Sequence, residues 1–246
     1  MNISEEVAKM SDSQLAERCG GDEPVRQIGP FPTSPVGEPV DKIKVDLKYP
    51  LGHSIMLNVN SPDYKGDLMR LFLRDVVGEN VDRGGLLETP DRAAKAWSFW
   101  TKGYQEDPAD IFKVFEDGAG AYDDQVGVFN IPFYSHCEHH LAPIIGHASI
   151  AYVPDGKIVG LSKLNRIVEC FARRLQVQER LTSDIADAIQ THLDPKGVAV
   201  FIKARHLCME SRGICQQGHF TITQRFRGCF ATDQSDWRRE FLAQCR

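Results

Sequence analysis

Two adjacent stretches of this 246-residue chain carry an apolar residue every three or four positions. In "LSKLNRIVECFARRL" these are Leu164, Ile167, Phe171 and Leu175, and in "QERLTSDIADAIQTHL" they are Leu181, Ile185 and Ile189. The spacing predicts a pair of amphipathic helices, ended by "DPKG". The flanking segments have a different period. "QVGVFNIPFYSHC", "IGHASIAYVP" and "KIVGLS", with "PDGK" as a turn, read as strands before the pair; "VAVFIKARHLC" and "HFTITQRFRGCF" read as strands after it. "DWRREFLAQC" reads as a closing helix. Upstream, "SPDYKGDLMRLFLRDVV" reads as a helix capped by Ser61 or Asp63. "ETPDRAAKAWSFWTKGY" is a second, with Thr89 as N-cap and Pro90 in the first helical position, and "DPADIFKVF" a short third. Helices and strands are therefore segregated along the chain. That order implies an α+β fold with an antiparallel sheet, not a doubly wound one.

The rest of the sequence bounds the function. Residues 1–60 read as a tail, partly disordered or regulatory, and 61–246 as one domain. A polar helix is expected at 3–18, before "GGDEP" and "GPFPTSPVGEP", whose Gly and Pro density opposes a packed element. "DKIKVDLKY" and "HSIMLNVN" have partial strand alternation and suggest a hairpin. No run approaches the roughly 20 apolar residues of a membrane span, and the acidic N-terminus resembles neither a signal nor a transit peptide. A cytoplasmic protein with no membrane partner is expected. The net charge of -5 gives no general signal for nucleic acid, although it does not describe a local pocket. Seven cysteines in such a chain point to metal binding, catalysis or plain core rather than pairing. Cys19, Cys170, Cys215, Cys229 and Cys245 read as core or incidental.

"SHCEHHLAP", residues 135–143, concentrates the chemistry. Cys137 and His140 are three apart, so one turn can bring a thiolate and an imidazole onto one centre, a donor pair that suits Zn²⁺. "ARHLCMESRG" offers a third donor. If the strand runs through residue 208, His206 and Cys208 share a face, and one can ligate while the other works on substrate. By spacing alone, a chance C-x-x-H and a core thiol at Cys208 fit equally well. The absence of C-x-x-C argues against a zinc ribbon, and the H-x-E…P-C-x-x-C deaminase pattern is also missing.

"GGLLETPDRAAKAW", "FYSHCEHHLAP", "IVGLSKLNRIVECFARRLQVQERLT" and "ARHLCMESRG" together resemble the GTP cyclohydrolase I family. They appear in family order across roughly residues 62–246. The resemblance implies conversion of GTP and water to formate and 7,8-dihydroneopterin triphosphate, the first step of folate and pterin synthesis. It implies a tunnelling-type α+β fold, with an antiparallel sheet, helices packed on one side and an N-terminal helical extension. It also implies a toroidal homodecamer with active sites between subunits.

The resemblance assigns Zn²⁺ to Cys137, His140 and Cys208. Three N/S ligands leave a fourth position for water, the pattern of a catalytic site. His139 corresponds to the family's catalytic histidine and is expected as general acid at guanine N7. His206 corresponds to a second, serving later steps at the ribose, or else orienting Cys208. Glu179 matches the guanine-reading glutamate, since a carboxylate accepts from both N1–H and the 2-amino group; Gln178 stands beside it. Arg92, Lys95, Ser162, Lys163, Arg166 and Arg212 match positions that contact triphosphate or ribose. Arg173, Arg174 and Arg180 read as surface or interface charge, and Glu138 and His136 are left without a role. A zinc-stabilised oligomer without activity, or an enzyme of the same fold acting on another purine or pterin, are the competing classes. Retention of His139, His206, Glu179 and the basic set favours GTP chemistry.

Overall fold

The structure, a computed structural model, describes residues 42–46, 54–58, 63–115, 122–232 and 235–245. The expected tail helix at 3–18, the breaks after it, Cys19 and Ser61 lie outside the described residues. The chain divides into two compact units, residues 20–99 and, among the described residues, 100–245.

In the first unit, β1 (Lys42–Asp46) pairs antiparallel with β2 (Ser54–Asn58), as the alternation suggested. Then come α1 (Tyr64–Leu71), which passes into a π-helical turn over Phe72–Val76, and α2 (Thr89–Trp100). Thr89 is not the cap. It is the first helical residue, and its hydroxyl donates back to the Gly85 carbonyl at 3.5 Å. Asp63 flanks α1 without a capping bond.

The second unit opens with α3 (Pro108–Ile111), where Asp107 caps the turn by accepting from the Ala109 amide at 2.9 Å. β3 (Val114–Phe115), β4 (Val126–Cys137), β5 (Pro143–Val153) and β6 (Ile158–Val159) follow. Next come α4 (Leu161–Ala172), β7 (Leu175–Gln176), α5 (Gln178–Leu193), β8 (Gly197–His206), α6 (Leu207–Glu210), β9 (Thr221–Gly228) and α7 (Asp236–Gln244). Five strands form one sheet in the order β7-β4-β5-β8-β9. Every pairing is antiparallel except the short β4–β7 contact, where His136 and Cys137 face Leu175 and Gln176. β3 and β6 form a separate pair.

Alternation along the strands divides the side chains between two layers. Ile144, Ile150 and Tyr152 of β5 and Val198, Val200 and Ile202 of β8 pack with Leu164, Ile167, Leu181, Ile185 and Ile189 of the two long helices. This is the α+β arrangement read from the sequence. Ala151, Val153 and Ala199 point the other way, onto Phe230 and Phe241. The closing helix α7 therefore covers part of the second face. Its N-terminus is capped by Ser235, which accepts from the Arg238 amide at 3.3 Å.

Two sequence expectations shift at element ends. Leu175 is not on the first long helix, which stops at Ala172; the chain turns there to pair with β4. The strand expected to reach residue 208 ends at His206, opposite Ile144. β5 begins one residue earlier, at Pro143, which has no N–H to offer, so β8 runs out of partner and curls into α6.

Close packing of β5 on β8 is strictest at Gly146, paired with Ala204. A Cβ there would lie 2.5 Å from Ala204 Cβ and 2.6 Å from the Lys203 carbonyl oxygen. Gly146→Ala should therefore lower stability by about 1–3 kcal/mol or more, read by thermal or urea unfolding. An unchanged unfolding transition would mean that the two strands are not in this register.

Candidate metal and active site

The site is built where three element ends meet. Cys137 closes β4; its amide donates to the Ala142 carbonyl at 2.8 Å, and its carbonyl accepts from Leu141 N at 2.8 Å. This turn needs a left-handed residue, Leu141, with φ 55°. It places His140 Nδ1 3.6 Å from Cys137 Sγ. From the far side, α6 delivers Cys208. The α6 turn is clamped by Arg205, whose Nε donates to Glu210 Oε1 at 2.9 Å, while Glu210 itself is buried. The donor atoms of Cys137, His140 and Cys208 all lie within 4.8 Å of one another.

That donor set fits a divalent metal. Tetrahedral bonds of about 2.3 Å to sulfur and 2.1 Å to nitrogen require an S···N separation of about 3.6 Å. The electrostatics agree. Burial pushes the Cys208 thiol up, and the neighbouring Cys137 adds to this. Two sulfurs this close oppose each other's ionisation unless a cation sits between them, and a coordinated thiol gives up its proton. Among the described residues this is the one such His/Cys/Asp/Glu group.

The other expected residues surround it unevenly. The His139 side chain is 63% exposed, with Nε2 3.8 Å from Glu138 Oε1. Its Nδ1 is 4.0 Å from Cys137 Sγ. Glu138, unassigned from the sequence, is ion-paired to Arg180, which also donates from Nε to Gln176 Oε1 at 3.0 Å and to the Leu175 carbonyl at 3.0 Å. Arg180 is exposed, as expected of surface charge, and its bonds tie the start of α5 to the Cys137–Leu141 turn. Arg173 also differs from a surface residue, being buried with Nε 2.8 Å from Glu169 Oε1. Arg174 likewise is not solvated: it is half-buried, and its Nε donates to the Cys170 carbonyl at 3.2 Å. His136 is buried against Trp100, with ring centroids 5.0 Å apart, and burial followed by the charge of Arg173 lowers its pKa. It supports the site from beneath.

His206 ends β8 half-buried, its Nε2 2.7 Å from Gln178 Oε1. Burial pushes its pKa down; Glu179 and Glu210 pull the other way, and His219 adds to the lowering. Glu179, the second residue of α5, is exposed, whereas Gln178 is 2% exposed with its amide engaged by protein groups. Ser162, Lys163 and Arg166 occupy the first turns of α4, and Arg212 is close enough to Cys208 to act on its ionisation. Arg92 and Lys95 belong to the first unit. There, Arg92 is ion-paired to Glu88, and Lys95 lines a cavity of about 350 Å³ with Asp63, Lys65, Asp91 and Ser98.

Sequence reasoning missed the Glu138–Arg180 pair and the surroundings of Gln178. Both join residues far apart in the chain, and no local spacing carries them.

These features define an α+β protein with a Cys–His–Cys group that could hold a metal ion, with His139 in the same turn and His206 two residues before Cys208. Comparison with known proteins narrows the class. The family description GTP cyclohydrolase I matches residues 67–246. GTP cyclohydrolase 1 of Janthinobacterium sp. (strain Marseille) is 58% identical over 170 residues, covering 69% of this chain and 85% of the relative. That of Nitrosospira multiformis is 55% identical over 178 residues, covering 72% and 92%. An apo archaeosine synthase of the QueF-like type overlaps 42% of this chain and 93% of its own at 17% identity and TM-score 0.36. The chain belongs to the GTP cyclohydrolase I family, and its enzyme class is that of the family.

The cysteines separate the assignment cleanly. Cys208→Ser should drop retained metal from about one per chain toward zero in elemental analysis after dialysis, and Cys215→Ser should leave it unchanged. Metal lost from the Cys215 variant, or kept by the Cys208 variant, would place the centre elsewhere.

Proposed function

We propose that the chain is a zinc enzyme that hydrolyses GTP to formate and 7,8-dihydroneopterin triphosphate, opening folate or pterin synthesis. The observation that carries this reading is the convergence of Cys137, His140 and Cys208, with His139 in the same turn and His206 two residues before Cys208, in a chain of this family. Cys137, His140 and Cys208 would hold Zn²⁺, which would supply Lewis-acid activation of water for attack at guanine C8.

The chain's own residues do the rest. His139 protonates N7 as the imidazole ring of guanine opens, the kind of transfer for which histidine is suited. Glu138, held by Arg180, keeps the His139 ring in place. His206 serves the later proton transfers at the ribose carbons. Glu179 accepts from guanine N1–H and the 2-amino group, and a base lacking those donors would leave the carboxylate unpaired. Ser162, Lys163, Arg166 and Arg212 hold the triphosphate and ribose as hydrogen-bond donors, and Arg92 and Lys95 join them only from across a subunit interface.

We also propose a homo-oligomer, a toroidal decamer by family resemblance, with sites completed between subunits. Supporting this, β9 has no partner along its outer edge among the described residues, and β4 is paired there only at its last two residues. Edges of this kind invite another chain. A cytoplasmic setting suits the six described cysteines, all free. Among the described residues no helix is long and apolar enough to cross a membrane.

Zinc-loaded protein should release about one formate per GTP consumed, with pterin fluorescence after oxidation. His139→Ala should abolish turnover, by about 10²-fold or more, while zinc stays bound. Assembled, zinc-loaded wild type without turnover would defeat the assignment.

A further inference from the structure

Behind His206 lies a buried polar cluster for which the mechanism above has no use. Gln178 Nε2 is 3.3 Å from the Ile202 carbonyl oxygen, 3.0 Å from the Thr221 carbonyl oxygen and 3.1 Å from Thr223 Oγ1. Its Oε1 is 2.7 Å from His206 Nε2. Carbonyl oxygens only accept, so the end of the carboxamide that faces two of them must be the NH₂ group. The hydroxyls then fall into order. Thr182 Oγ1 lies 2.7 Å from the Gln178 carbonyl and can only donate to it. With that proton spent, the 2.6 Å contact between Thr182 and Thr223 must have Thr223 as donor. Thr223 Oγ1 is left as an acceptor that shares the two hydrogens of Gln178 Nε2 with the Ile202 and Thr221 carbonyls.

With the amide oriented this way, Oε1 is a pure acceptor, and the ring nitrogen facing it must carry hydrogen. The bond on one ring nitrogen decides which tautomer a neutral histidine adopts. We infer that Gln178 is a positioning residue that holds His206 in the tautomer with the proton on Nε2 and the lone pair on Nδ1. Three elements fix its carboxamide: α5, which carries Gln178, β8 through the Ile202 carbonyl, and β9 through the Thr221 carbonyl. Oε1 accepts equally well from the neutral and the protonated ring, so the lock survives a catalytic cycle. The consequence for chemistry rests on the reading of His206 as an acid–base group: every proton it exchanges passes through Nδ1, and from the neutral ring the first transfer is acceptance. Gln178, which resemblance alone would set against the substrate, acts instead through His206.

The test is solid-state ¹⁵N NMR of the full, zinc-loaded protein labelled at histidine, with His206→Phe used to assign the signals. The wild type should show His206 with Nε2 protonated, and with Nδ1 bare in the neutral ring. Gln178→Met should release the ring into a mixture of tautomers and lower kcat by about 10- to 100-fold, with KM changed less than about threefold. Thr223→Val, in which both carbonyls still hold the amide, should keep the wild-type tautomer. A neutral wild-type ring with its proton on Nδ1 and a bare Nε2, or an unaltered spectrum in Gln178→Met, overturns the inference. The wild-type spectrum decides even if the Gln178 variant does not fold. Full turnover by His206→Phe would remove the catalytic reading of His206, and the spectra would still judge the lock separately.

Discussion

Cys137 ends β4 and starts the turn back into β5, held by backbone bonds of 2.8 Å on either side of the peptide. The turn forces Leu141 into the left-handed region, which costs a non-glycine residue on the order of 1–3 kcal/mol and persists only where the surroundings over-determine it. What is gained is placement. His140 reaches the Cys137 sulfur, and His139 stands beside it, largely exposed. β5, leaving the turn, sets the register of β8, so the α6 turn that follows β8 brings Cys208 to Cys137 and His140. A slip of one residue between β5 and β8 would send the odd-numbered set inward and the even-numbered set outward.

Around this turn the polar residues form a supporting layer. Arg180 pins Glu138 next to His139, Arg205 pins Glu210 in the α6 turn, and Gln178 pins His206. Each anchor sits on an element with its own apolar burial, so orientation at the site draws on the stability of the core. Rigid placement of this kind is what lets weakly acidic or basic side chains act effectively on a bound substrate.

Local periodicity and spacing made most of the elements readable. The apolar positions Leu164, Ile167, Leu181, Ile185 and Ile189 are all buried, and the strands appear where β-rich segments were expected. Element ends were less readable: strand pairing decides the place of Leu175 and the end of β8, while Thr89 joins the helix itself and bonds back to Gly85. At the site, C-x-x-H could suggest a metal, but only the fold could bring Cys208 to it. The roles of Glu138, Arg180, Thr182 and Thr223 depend on contacts spanning 41 or 42 residues, which no motif encodes.

The central claim is an open metal centre made by two sulfurs and one imidazole. X-ray absorption at the zinc edge of the loaded protein tests it directly. The account predicts two sulfur neighbours at about 2.3 Å, one imidazole nitrogen at about 2.0–2.1 Å and one light exchangeable neighbour. A closed shell of four protein ligands, or fewer than two sulfurs, would contradict it.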